Sequence, residues 1–281
     1  TLGRTVWAAR SVLSRLRPTA VLAMGGYAAV PAGLAARLGG TRLVLHEQNA
    51  VPGLAIRALR RLAAAVLTGF PEAAEALGAR ARWAGIPVRA ELLALPDPAE
   101  RYEGRQGPLR VLAFGGSQGA RFLNETVPAG LMRAADSGIP LEVRHQSGSP
   151  MRDQVAAAYA DAPFAARVES FIDDMAEAYT WCDLAFCRAG AGTVAELAAV
   201  GVPAVLVPYP YAVDDHQRRN AQALADRDAA VIVDQGDTNA GGVADWLRGE
   251  LGDRERLAAM GEAARGWARP DAAEVVAAAC L

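Results

Sequence analysis

An open α/β fold built on parallel sheets is predicted for this 281-residue chain by three observations. Short β-branched or leucine-rich runs alternate with alanine-rich helical stretches almost from end to end. Two of the runs lead into glycine-rich loops that open a helix, the strand-to-helix turn found where α/β sheets bind ligands. The chain is 52% hydrophobic and 21% charged, which is too apolar for disorder and sufficient for one to two packed domains.

The elements follow in order. The first 46 residues hold six arginines (Arg4, Arg10, Arg15, Arg17, Arg37 and Arg42) and no acid, with Val6, Trp7 and Leu13 interleaved. This basic amphipathic helix either turns its apolar side to its own core or lies with its indole on an anionic membrane surface. Residues 18–36 are uncharged, but Gly25, Gly26 and Pro31 break the stretch into strand, loop and helix rather than a membrane span. Strands are expected at 20–24, 43–46 and 64–68, with helices at 31–38 and 52–62 between them. Residues 95–108 are rich in proline, glycine and charge, the composition of an interdomain connection. Beyond it, strands at 109–114, 141–145, 166–169, 184–187, 204–207 and 230–233 alternate with helices as a doubly wound sheet. The first part, residues 1–90, is short for a complete open α/β domain, so material is expected to be missing before Thr1.

Composition excludes several classes of function. A formal charge of −2 lacks the field that holds a nucleic-acid backbone, so no nucleic-acid partner is expected. All 29 basic residues are arginine, which removes Schiff-base chemistry and the P-loop lysine. Cys182, Cys187 and Cys280 form neither a disulfide framework nor a zinc-ligand spacing, and His46, His145 and His216 lie far apart, so no bound metal is expected.

The strongest local signal is the run Gly115, Gly116, Ser117, Gln118, Gly119, Ala120, Arg121 after the strand 109–114. Its glycines let backbone amides approach phosphate oxygens, and Ser117 adds a hydroxyl donor. The spacing is not that of a dinucleotide fingerprint, and the next strand ends in Arg144, His145 and Gln146 without an acid for a ribose, so NAD is disfavoured. A second loop, from Arg188 through Gly190 and Gly192 to Glu196, also joins a strand to a helix. If that helix begins near Gly192, Glu196 lies one turn in and its oxygens can accept both hydroxyls of a ribose; Thr193 reads otherwise as a helix N-cap, and Glu196 as an acid favoured at a helix start. In a third loop, His216 and Gln217 are hydrogen-bond donors for a sugar, and Asp215 with His216 makes a poor acid–base dyad because adjacent helical residues diverge.

Together with Met24 to Tyr27, His46 to Asn49, Gly85 to Arg89 and Phe171 to Met175, these motifs resemble, in order and over essentially the whole chain, the MurG family of peptidoglycan N-acetylglucosaminyltransferases. The resemblance implies a GT-B fold: two Rossmann-like parallel-sheet domains facing across a cleft, the first incomplete. It implies an acceptor and membrane-side domain at 1–90, joined by a C-terminal helix at 268–281, and a UDP-sugar-binding domain at 91–267. By the same resemblance, the main chain of Ile172 reads uracil, Glu196 holds the ribose, Ser117 and Arg89 meet the diphosphate, and Ala191, Gly192, Thr193, Val194, Ala195 and Glu196 lie at the helix N-terminus that serves it. Gln217 and neighbouring His216 recognise the sugar, Asn49 reaches the donor from the other domain, and Tyr27, His46 and Glu47 line the acceptor side. The implied activity is inverting, needs no cofactor, and moves N-acetylglucosamine from UDP-N-acetylglucosamine to the MurNAc-pentapeptide of undecaprenyl-linked lipid I, giving lipid II. It implies a peripheral protein on an anionic membrane surface, at the cytoplasmic face of the bacterial plasma membrane. The family's opening strand and glycine-rich loop, with its candidate base, have no counterpart here, so no catalytic base is assigned. A UDP-N-acetylglucosamine 2-epimerase-like isomerase and an inactive nucleotide-sugar-binding fragment are the alternatives.

Overall fold

The computed structural model describes residues 1–116 and 119–281, the side chain of Glu250 excepted. The chain forms two compact units, Thr1–Val88 with Arg269–Leu281, and Arg89–Ala268.

The first unit is built on a parallel sheet of β1 (Ala20–Ala23), β2 (Arg42–Glu47), β3 (Ala65–Thr68) and β4 (Ala81–Trp83), hydrogen-bonded in that order. The sequence reading missed β4, because three residues centred on the exposed Arg82 make no apolar run. The helix expected at 31–38 begins at Ala29, which leaves Pro31 in the first turn, where no intrahelical partner is lost. The helix expected at 52–62 is confined to Leu54–Leu59, and the chain then turns tightly, Leu62 N–H donating to the Leu59 carbonyl at 2.8 Å. Leu43, Leu45, Ile56 and Leu59 make one core of this unit, against which Leu13 of the helix Leu2–Leu16 packs. The last helix, Ala272–Cys280, lies on the other face, where Val276 meets Val44 and Leu67 and Arg42 Nε donates to the Ala279 carbonyl at 2.9 Å.

The second unit is a six-stranded parallel sheet of β5 (Leu109–Phe114), β6 (Leu141–Gln146), β7 (Ala165–Glu169), β8 (Leu184–Cys187), β9 (Ala204–Leu206) and β10 (Ala230–Ile232), in the order β10-β9-β8-β5-β6-β7. Central strands covered on both faces read as unbroken apolar runs, as Val111, Leu112 and Ala113 do at zero exposure. The chain runs outward from β5 through β6 to β7, then returns to β8 on the other side of β5, so the winding direction reverses between β5 and β8.

The proline- and glycine-rich segment read as an interdomain connection instead lies inside this unit, which begins at Arg89. Arg101 is buried, and its guanidinium donates to the Tyr179, Val200 and Gly201 carbonyls, stapling the end of one helix to the end of another. Arg105 Nη1 donates to Asp183 Oδ1 at 2.6 Å, and the other carboxylate oxygen accepts from Arg110 N and from Arg254 Nη2. The composition read as an interdomain connection because arginine is exposed in most contexts, whereas here Arg101 and Arg105 find buried acceptors.

Candidate functional site

In a doubly wound sheet, ligands bind beyond the carboxyl ends of the strands where the winding direction reverses. The second unit has a cleft of about 510 Å³ at that point, lined from the β5 side by Gly115, Gly116, Gly119 and Arg121 and from the β8 and β9 side by Arg188, Gly190, Thr193, Tyr209 and Gln217. Two helices start there, Arg121–Asp136 and Ala191–Val200, and neither N-cap residue supplies a side-chain hydrogen bond. Their first amides have no partner within the helix and carry the positive end of its dipole, so the cleft presents two anion-binding termini.

The glycine loop is shaped by packing. Gly119 has φ +72°, and a Cβ there would lie 2.0 Å from the Ser147 carbonyl oxygen. That carbonyl is fixed by Asn124 Nδ2, which donates to it at 2.8 Å. Gln146 bridges the neighbouring loops, accepting from Gly115 N and donating to the Ser170 carbonyl. Ser117, the expected hydroxyl donor, lies outside the described residues.

Asn124 is oriented from below by a fully buried histidine. Its Oδ1 lies 3.1 Å from His145 Nε2, and Tyr159 Oη lies 3.0 Å from Nδ1. An amide oxygen only accepts, so Nε2 carries the proton and the Tyr159 hydroxyl donates to Nδ1. Desolvation holds the His145 pKa down at about 4. A histidine depressed in the folded state but ordinary when unfolded contributes stability above about pH 6.5 that is lost as pH falls toward 4. Urea unfolding at pH 7 and pH 5 is therefore expected to show a loss of roughly 2 kcal/mol attributable to this group, and His145→Gln to flatten the difference.

Of the second loop's residues, the helix starts at Ala191 with Gly190 as its N-cap, so Thr193 is not the cap but stands in the first turn facing the cleft. Val194 N–H is spent on the Gly190 carbonyl at 2.9 Å, and the Val194 and Ala195 side chains are buried. The amides open to an anion are thus those of Ala191, Gly192 and Thr193, a correction to the wider set that included Val194 and Ala195. Glu196 is partly exposed; its Oε2 accepts from the Tyr179 hydroxyl at 3.2 Å and its Oε1 lies 3.5 Å from Arg89 Nη2. Ile172, in the loop between β7 and the helix Met175–Trp181, is buried.

In the third loop, Gln217 Oε1 accepts from Tyr209 N at 2.9 Å, which turns the side-chain NH2 outward as a donor at the cleft. His216 sits beside it but directs Nδ1 to the Val213 carbonyl at 2.7 Å, leaving Nε2 as its remaining polar atom. Arg188 and Gln235 were not assigned roles from sequence. Arg188 donates to the Val207 and Pro208 carbonyls and to Gln235 Oε1, lies over the Tyr209 ring, and gives the cleft a fixed cation. Gln235 had a positional signal only, its place just after a strand on the same sheet edge.

In the first unit, Tyr27 is fully exposed after the glycine pair at 25–26. Asn49 is half-buried, and its main-chain amide donates to Glu47 Oε1 at 3.0 Å. Glu47 Oε2 accepts from Gly53 N at 2.8 Å, so this carboxylate closes its own loop rather than lining a surface. His46 has no exposed surface either; Nε2 lies 2.8 Å from the Gly85 carbonyl and burial lowers its pKa. Both were expected to line a surface and are instead buried side chains that bond loop backbone, a correction. Among the described residues no three His, Cys, Asp or Glu side chains come together as metal ligands.

A parallel sheet whose reversal point offers two helix N-termini, a fixed arginine and a polarised side-chain amide belongs to the class of α/β proteins that take phosphate-bearing ligands at the sheet's carboxyl edge. Residues 110–276 match the Glycosyltransferase family 28 C-terminal domain and residues 1–68 its N-terminal domain. The chain is 53% identical over 280 residues to the UDP-N-acetylglucosamine--N-acetylmuramyl-(pentapeptide) pyrophosphoryl-undecaprenol N-acetylglucosamine transferase of Halorhodospira halophila, covering 99% of this chain and 77% of the relative. It is 50% identical to the protein of the same description from Xylella fastidiosa strain Temecula1, covering 97% and 74%. The crystal structure of Acinetobacter baumannii MurG superposes with a TM-score of 0.87 at 39% identity, covering 97% of this chain and 76% of that one. The chain belongs to the MurG family of glycosyltransferases. A putative UDP-N-acetylglucosamine 2-epimerase from Listeria monocytogenes shares the fold, with a TM-score of 0.72 at 16% identity.

Proposed function

We propose that this chain transfers N-acetylglucosamine from UDP-N-acetylglucosamine to the MurNAc-pentapeptide of undecaprenyl-linked lipid I, with inversion, to give lipid II. The observation that carries the reading is the cleft between β5 and β8, where two uncapped helix N-termini and Arg188 suit a diphosphate, with Glu196, paired with Arg89, on one of those two helices for a ribose. Cleavage of the bond between sugar and diphosphate leaves negative charge on the departing UDP. Amides and guanidinium groups already oriented toward that charge stabilise it more in the transition state than in the bound donor. Glu196 takes the ribose hydroxyls, the main chain near Ile172 takes the uracil, and Gln217 with His216 takes the sugar hydroxyls. Tyr27 belongs to the acceptor surface of the first unit, and Asn49 to the same unit's share of the donor contacts.

The helix Leu2–Leu16 supports a peripheral seat on the cytoplasmic face of the membrane. Val6 is half-buried and Leu13 packs on the unit's core, whereas Trp7 is 74% exposed with Arg4 and Arg10 one turn to either side. An indole flanked by guanidinium groups inserts at the headgroup level of an anionic bilayer. Among the described residues no helix is long and apolar enough to cross it. Trp7→Ala is expected to weaken binding to phosphatidylglycerol vesicles by roughly tenfold in a sedimentation assay, with the remaining binding abolished by high salt.

The direct test incubates the chain with radiolabelled UDP-N-acetylglucosamine and a lipid I analogue in vesicles. Label recovered in a disaccharide-bearing lipid supports the proposal. Bound donor with no label passing to the acceptor, or label released as a free epimerised sugar, contradicts it.

A further inference from the structure

Glu196 is asked to present two oxygens to a ribose, yet a glutamate has three rotatable bonds and orders only at an entropic cost. The structure shows what orders it. Tyr179, on the helix Met175–Trp181, is fully buried and its hydroxyl lies 3.2 Å from Glu196 Oε2. The ring is locked from several sides. It stands edge-on to Phe114, the last residue of β5 before the glycine loop, at 6.1 Å between centroids, and its main-chain carbonyl accepts from Arg101. Arg101 in turn holds the Val200 and Gly201 carbonyls at the far end of the helix that carries Glu196. The phenol and the carboxylate are therefore fixed in one frame.

We propose that Tyr179 is a positioning residue for nucleotide binding, its hydroxyl donating to Glu196 Oε2 and so setting the carboxylate in the orientation that receives the ribose hydroxyls. Burial and the neighbouring carboxylate push the phenol pKa well up, so it stays a donor throughout the working pH range. An ionised carboxylate is acceptor-only, so the proton of the shared bond belongs to the phenol. The second oxygen is left to the weaker, half-exposed contact with Arg89 at 3.5 Å, which makes the phenol the principal restraint. The gain is preorganisation: part of the ordering cost is met in folding rather than in binding.

The proposal rests on the reading of Glu196 as the ribose acceptor, and the experiment separates the two. Wild type, Tyr179→Phe and Glu196→Ala are titrated calorimetrically with UDP and with 2′,3′-dideoxy-UDP. Phenylalanine keeps the buried ring, so the fold stays intact. Tyr179→Phe is expected to weaken UDP by about three- to tenfold, the worth of one hydrogen bond, and to leave the dideoxy compound unchanged. Equal weakening of both nucleotides, or of neither, overturns the proposal, since a role confined to packing cannot sense ribose hydroxyls. If Glu196→Ala keeps the wild-type preference for UDP over its dideoxy form, the ribose reading itself fails and takes the proposal with it. If Glu196→Ala loses that preference while Tyr179→Phe keeps it, only the positioning role is refuted.

Discussion

Gly119→Ala is expected to lose roughly 2–4 kcal/mol of stability and, in what still folds, about a hundredfold or more of donor affinity. Two effects combine at this position. The backbone is left-handed, which costs a residue with a Cβ about 1–2 kcal/mol. The added Cβ would also sit 2.0 Å from the Ser147 carbonyl oxygen, and that oxygen cannot retreat: Asn124 Nδ2 holds it, and Ser147 N–H is bound to the Glu169 carbonyl at 2.9 Å. The glycine loop must therefore move, and its amides leave the line of the diphosphate. Gly116 provides the control, because its φ is +81° but nothing lies within 4 Å of a Cβ built there. Urea denaturation of the two variants is expected to show Gly119→Ala the less stable by at least ~1 kcal/mol. Equal midpoints would mean that left-handed backbone, and not the close approach to Ser147, requires the glycine.

The second large effect lies at the opposite edge of the same sheet. Asp183, just before β8, is fully buried and receives Arg105, Arg254 and the Arg110 amide. Asp183→Asn keeps the volume but removes the charge, leaving two guanidinium groups with 12% and 24% exposed side chains held only by main-chain carbonyls and without a counter-charge. Breaking a buried pair from one side costs about 3–5 kcal/mol, and the partial exposure of Arg254 places the expectation near the lower end, ~3 kcal/mol. Donor affinity of the folded variant is expected to stay within about twofold, since the network sits at the amino edge and the cleft at the carboxyl edge. A stability loss below about 1 kcal/mol would show that water replaces the carboxylate without penalty.

Much of the second unit was legible in the sequence because its strands are covered on both faces. Runs such as 184–187 contain nothing polar, and turn residues bracket them. β4 escaped because a short edge strand with a central arginine carries no such run. Placement was legible where a residue type and its position on the sheet edge agreed, as for the two glycine loops and Gln217, which meet at one cleft. It was not legible where a side chain spends its polar atoms inward. Glu47 and His46 sit in a motif that suggests solvent-facing chemistry, yet Glu47 accepts from two amides of its own loop and His46 meets the Gly85 carbonyl, nearby in space but not in sequence. Arg101 is the converse: a charged residue in a segment with linker composition that proves to be a buried staple. Pairings of this kind depend on which loops the topology brings together, and spacing along the chain does not encode it.

The proposed UDP-N-acetylglucosamine site at the carboxyl edge of the second unit can be probed by calorimetric titration of the chain with that donor. UDP-glucose and the Glu196→Ala variant serve as comparisons. Saturable binding at one site is expected, weakened about tenfold or more by Glu196→Ala and measurably by the wrong sugar. Absence of binding to a folded chain, or binding that ignores both the variant and the sugar, would contradict it.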